Sequence, residues 1–79
     1  MSKETFMIEE LVKDLVLKLI EDSDLSVQEA LSRVYNSDTY EKILDLKTGL
    51  FSQSTAYVYE ILKHELQEGK IAEFQNSAK

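Results

Sequence analysis

Apolar residues recur from Phe6 to Ile20 at spacings of three and four, the period of an amphipathic helix. The pattern predicts helix 1 from about Ser2 or Thr5 to Glu21. At about 100° per residue, Met7, Ile8, Leu11, Val12, Leu15, Val16, Leu19 and Ile20 share an arc of about 220°. Phe6 and Leu17 fall outside it, close together on the far side. A surface helix of a monomer needs a narrower stripe. Helix 1 is therefore expected to be the central helix of the fold or a helix shared with a second chain.

Glu21-Asp22-Ser23-Asp24 breaks the pattern. Ser26-Val-Gln-Glu29 then reads as a capping box, with Leu25 and Ala30 at the staple positions. Helix 2 is predicted over Val27–Tyr35, burying Val27, Ala30, Leu31 and Val34. A stop at Asn36-Ser37 and a new cap at Asp38, three before Glu41, predict helix 3 over about Thr39–Leu46, with Tyr40, Ile43 and Leu44 inward. Gly49 is expected to supply a left-handed turn, after which Leu50 and Phe51 plug the core from a loop. Helix 4, capped by Ser52 or Ser54, runs to about Glu68 and stops at Gly69, with Tyr57, Val58, Ile61, Leu62 and Leu66 inward. A hairpin over residues 45–60 is the weaker alternative, because Glu60-Ile-Leu-Lys-His-Glu-Leu is strongly helical. Residues 70–79 read as a polar tail carrying Ile71 and Phe74, either frayed or docked.

These elements predict an all-α fold, a compact bundle of about four helices in which residues 1–79 form a single domain. Its 79 residues suit one core, and 43% of them are hydrophobic, so the chain is not a disordered acidic tail. The absence of cysteine excludes disulfides and thiolate metal sites. With no leader-like start and no apolar run long enough to span a bilayer, a cytoplasmic location is expected. The net charge of -6 repels phosphate backbones and anionic lipid, so neither nucleic acid nor membrane is an expected direct partner. A basic protein partner fits better.

Catalytic parts are missing. His64 is the single histidine. With Glu60 and Glu68 it makes an i, i+4, i+8 row that could face a metal, yet one imidazole without a second His or Cys is a poor ligand set, and a solvated His64 is the simpler reading. Asp22-x-Asp24 resembles the start of an EF-hand loop, but Val27 and Arg33 occupy the positions that require a sharp turn and a bidentate carboxylate. No nucleophile elbow or glycine-rich phosphate loop occurs. Helices 2 and 3 have helix-turn-helix spacing, but the second would present three acids and one lysine to phosphate. No enzyme activity, cofactor or metal is expected.

Glu65 stands at the centre of helix 4's apolar arc, where an ionised carboxylate needs a partner. Lys18 and Arg33 are candidates within the chain, a basic residue of another protein is a third, and snorkelling from the core rim is the plainest account. Among the tyrosines, Tyr59 faces away from Tyr57 and is expected to be exposed, a placement suited to an interface anchor. The candidate partner-binding residues are the off-arc Phe6 and Leu17, the acidic Glu21, Asp22 and Asp24, and Tyr59 with Glu65.

From Leu25 to Leu66, the pieces Tyr35-Asn-Ser37, Thr48-Gly-Leu-Phe51 and Tyr57-Val-Tyr59 carry a resemblance. They resemble a family of small, uncharacterised bacterial helical proteins, over about half the chain, with helix 1 matching more loosely. Members tend to be encoded beside small proteins resembling ADP-ribosyltransferases, as in a toxin–antitoxin module. The resemblance implies an antitoxin-like neutraliser or regulator of a companion toxin enzyme, and no catalytic residue is carried over. Two rival expectations are a structural or adaptor protein forming a homodimer through helix 1, and an acidic nucleic-acid mimic that occupies a basic groove.

Overall fold

A computed structural model describes residues 2–68. Four helices, α1 (Lys3–Ser23), α2 (Val27–Tyr35), α3 (Asp38–Leu44) and α4 (Thr55–Glu68), form an all-α bundle, with two 3₁₀ turns, Leu46–Thr48 and Leu50–Ser52, between α3 and α4. No strand occurs among the described residues, so the hairpin alternative is excluded. Gly69 and the tail, with Ile71 and Phe74, lie outside the described residues.

α1 is the central helix. It packs against α2, α3, α4 and the second 3₁₀ turn, and it buries Leu11, Val12, Leu15, Val16 and Leu19. Met7, Ile8 and Ile20, at the edges of its wide arc, stay half-buried. Ser2 caps its start by accepting from the Thr5 N–H at 3.0 Å. At its end Asp24 takes a left-handed conformation, φ 56°, and donates its N–H to the Ile20 carbonyl. The helix thus continues two residues past its predicted end at Glu21.

The capping box forms with both bonds: the Glu29 N–H donates to Ser26 Oγ at 3.1 Å, and the Ser26 N–H to Glu29 Oε1 at 3.2 Å. α2 buries Ala30 and Val34, while Val27 is exposed and Leu31 half-buried, contrary to the inward placement of all four. Val27 lies in the first turn, beside the link from α1, where no other element covers it. Ser37, rather than Asp38, caps α3: its Oγ accepts from the Tyr40 N–H at 3.0 Å and donates to the Val34 carbonyl at 2.6 Å. One buried hydroxyl therefore closes α2 and opens α3.

Glu65 supplies what Ser37 cannot reach. Its carboxylate accepts from the N–H of Asp38 at 2.7 Å, the N–H of Thr39 at 3.0 Å and the Thr39 hydroxyl at 2.7 Å. These are orphan donors of α3's first turn, where a negative charge is also favoured by the helix dipole. The partners are thus neither Lys18 nor Arg33. Pulling Thr39 inward turns α3 so that Thr39 and Ile43 are buried, leaving Leu44 on the outer side instead of inside. The helix ends there, two residues before the predicted Leu46, and Asp45 caps the 3₁₀ turn by accepting from the Lys47 N–H.

Gly49 adopts the expected left-handed conformation, φ 70°, but it ends the 3₁₀ turn Leu46–Thr48 rather than helix 3, and Leu50 enters the core with Phe51 packed against it. Ser54 then caps α4, its Oγ accepting from the Tyr57 N–H at 3.2 Å.

Replacing Glu65 by Ala orphans three donors, two of them on the fully buried Thr39, and is expected to cost about 3 kcal/mol in urea denaturation. Thr39→Val, which loses one bond, should cost about 1–2 kcal/mol. A loss below about 1 kcal/mol for Glu65→Ala would mean that the cross-helix cap is dispensable. A Cβ at Gly49 meets nothing within 4 Å. Gly49→Ala should therefore lose only the backbone term, about 1 kcal/mol, with Gly49→Asn losing less.

Candidate interaction surface

Where α2 runs back along α1, the two helices do not close over each other. Between them lies an open trough of about 400 Å³ with a predominantly apolar lining. Val12, Val16 and Leu31 line it, with Ile20, Leu17 and Val27 toward the α1–α2 link and Ile8 toward the other end. Tyr35 and Tyr40 close that far end as an edge-to-face pair, ring centroids 4.9 Å apart and planes at 89°. Leu17, Val27 and Tyr35 are 52%, 59% and 50% exposed, although each belongs to a residue type that a small core normally recruits. Several large apolar side chains exposed along one trough form a patch, the usual mark of a binding surface.

The charges around it are unevenly paired. Lys13 on the α1 edge forms an ion pair with Glu10 at 3.0 Å, and that contact raises its pKa. Glu9 lines the trough without an ion pair, and Glu21 and Asp24 are exposed beyond its Leu17 end.

Seven residues were singled out from the sequence, and the structure does not bring them together. Phe6 and Leu17 are exposed on α1, as their off-arc positions require, and Leu17 lines the trough. The acidic group divides. Glu21 and Asp24 face solvent, whereas Asp22 accepts a hydrogen bond from the Tyr59 hydroxyl at 2.7 Å. Tyr59 itself is 6% exposed, and it is Tyr57, at 54%, that faces outward. The expected exposure of the two is thus reversed. α4 can bury Tyr59 because Asp22 satisfies its hydroxyl and Lys18 stands 5.7 Å from its ring centroid. Thr55 adds a bond to Asp14 at 3.3 Å, so Asp14, Lys18 and Asp22, four residues apart on α1, meet Thr55 and Tyr59, four apart on α4. Glu65 is committed to α3.

Val27, Tyr35 and Tyr40 join the trough although helical periodicity places Val27 and Tyr40 inward. The signal in the sequence is Leu17, which the helix 1 period leaves off the buried arc.

A second cavity, about 460 Å³, lies among Leu19, Asp22, Leu25, Arg33, Tyr59 and Lys63. Its lining extends to Leu66 and Gln67, beside the end of the described chain, and no ligand is assigned to it. His64 is half-buried rather than solvated, with its Nδ1 buried and unpartnered. No group of three His, Cys, Asp or Glu side chains able to hold a metal occurs among the described residues. No helix among them is long and apolar enough to cross a membrane. No family model, curated protein or solved structure matches the chain.

Burial first, then the bond to Asp22 and the charges of Asp22 and Glu60, push the Tyr59 hydroxyl up to about 12 from an ordinary 10.0. A raised pKa means that the folded state holds this proton more tightly than the unfolded chain. The associated stability is complete below pH 10 and is lost as pH rises through about 12. Urea stability should therefore fall across that interval, and the fall should be smaller in Tyr59→Phe. Equal falls in the two proteins would remove Tyr59 from the account.

Proposed function

We propose that this chain is a small cytoplasmic protein-binding protein, an antitoxin-like neutraliser or regulator of a companion enzyme, and that it performs no catalysis itself. The observation that carries the binding part is the apolar trough between α1 and α2, with Leu17, Val27 and Tyr35 each half exposed or more. Leaving about half of such a side chain in water forgoes roughly 1 kcal/mol each, which a partner covering them recovers. The kind of partner rests on the resemblance of Leu25–Leu66 to proteins encoded beside ADP-ribosyltransferase-like neighbours.

The net charge of -6 favours a basic partner surface and disfavours nucleic acid. A self-interface through α1 would use the same trough, so the homodimer remains the second reading.

Co-expression with the product of the adjacent gene provides the test. The neighbour alone should arrest growth, and the pair should grow and co-purify. Leu17→Glu and Val27→Glu should weaken the complex at least tenfold, about 1.4 kcal/mol, while unfolding as the wild type does, because both side chains are exposed. Tyr57→Glu, exposed on α4 outside the trough, should leave the complex intact. A harmless neighbour, or the absence of a complex, ends the antitoxin reading.

A further inference from the structure

We infer that the occupant of the α1–α2 trough is one amphipathic helix of a partner protein, with Lys or Arg flanking its apolar stripe. This deepens the binding role proposed above and rests on it.

Shape argues for a helix. α2 lines the trough from Val27 to Tyr35, about 12 Å, and α1 from Ile8 to Ile20, about 18 Å, lengths that match about two to three turns of a third helix. Anchors at i, i+3, i+4 and i+7 on that helix would meet the floor of Val12, Val16 and Leu31. Tyr35 and Tyr40 would stop one end. No strand, and therefore no sheet edge, exists among the described residues to receive an extended peptide.

Charge argues for basic flanks. Along the trough and beyond its Leu17 end, Glu9, Glu21 and Asp24 carry no ion pair among the described residues, and Lys13, the one cation among the described residues that line it, is paired with Glu10. The same acids argue against a second copy. A two-fold axis through the trough would set these acids against their own counterparts on two chains that each carry -6.

Two synthetic helical peptides with the same leucine stripe, one flanked by lysines and the other by glutamates, test the inference on the isotope-labelled full chain. The lysine peptide should shift amide resonances along residues 8–20 and 27–40, and its binding should weaken as salt rises. The glutamate peptide should bind at least tenfold more weakly, and Leu17→Glu should abolish the shifts from both. Equal binding of the two peptides, no binding of either, or shifts mapping outside the trough overturns the inference. Light scattering that shows a dimer of the unliganded chain, made monomeric by Leu17→Glu, assigns the trough to a second copy and also overturns it. A companion protein that fails to co-purify while the lysine peptide binds as described removes the antitoxin role and leaves the helix-binding trough standing.

Discussion

The carboxylate of Glu65 ties α4 to α3. It reaches from the last turns of α4 to the first turn of α3 and accepts from Asp38 and Thr39 at 2.7 to 3.0 Å. A seven-residue helix has too few internal bonds to persist alone, so its N-terminal donors must be satisfied from outside. Ser37 satisfies the Tyr40 N–H, and Glu65 satisfies the two before it. With α3 anchored in this way, Thr39 and Ile43 point into the core and Leu50 can follow them through the two 3₁₀ turns. A charge on an apolar face, which looks like a defect or a contact for another protein, is here the cap of a distant helix.

A second polar seam fixes α4 against α1. Asp14, Lys18 and Asp22 meet Thr55 and Tyr59 at matching four-residue steps, so the two helices run in the same direction. That seam uses the side of α1 next to its core stripe. On the opposite edge α1 meets α2, nine residues long against the 21 of α1, with Tyr40 of α3 at one end. Along the trough between them Leu17 and Val27 stay exposed, while Ile8 and Ile20 at the edges of the α1 arc stay half-buried.

Much of the molecule could be read in one dimension because the signals involved are local. A capping box spans four residues, a left-handed glycine concerns one, and a helix period needs only a dozen, so the Ser26–Glu29 box, the φ of Gly49, the extent of α2 and the Ser54 cap of α4 agree with the reading of the sequence. The inward and outward placement of tyrosines and leucines agrees less well. Tyr57 and Tyr59 differ by about 200° around α4. Which one is buried depends on whether a partner for the hydroxyl lies on the neighbouring helix, and Asp22 is 37 residues away. The exposed Leu44 likewise reflects the pull of Glu65 on Thr39, 26 residues distant.

The candidate surface shows the same division. By itself the sequence determined that α1 carries an apolar arc wide enough for a central helix, that Phe6 and Leu17 stand off that arc, and that the net charge is -6, because periodicity and charge are properties of the chain. Only the tertiary structure decided that Tyr59 is buried with its hydroxyl on Asp22, that Glu65 caps α3, and that Leu17 lies along one trough with Val27, Tyr35 and Tyr40. Whether a side chain is spent on the core or left for a partner depends on the helices packed around it, and their lengths and angles are fixed by contacts between residues far apart in sequence.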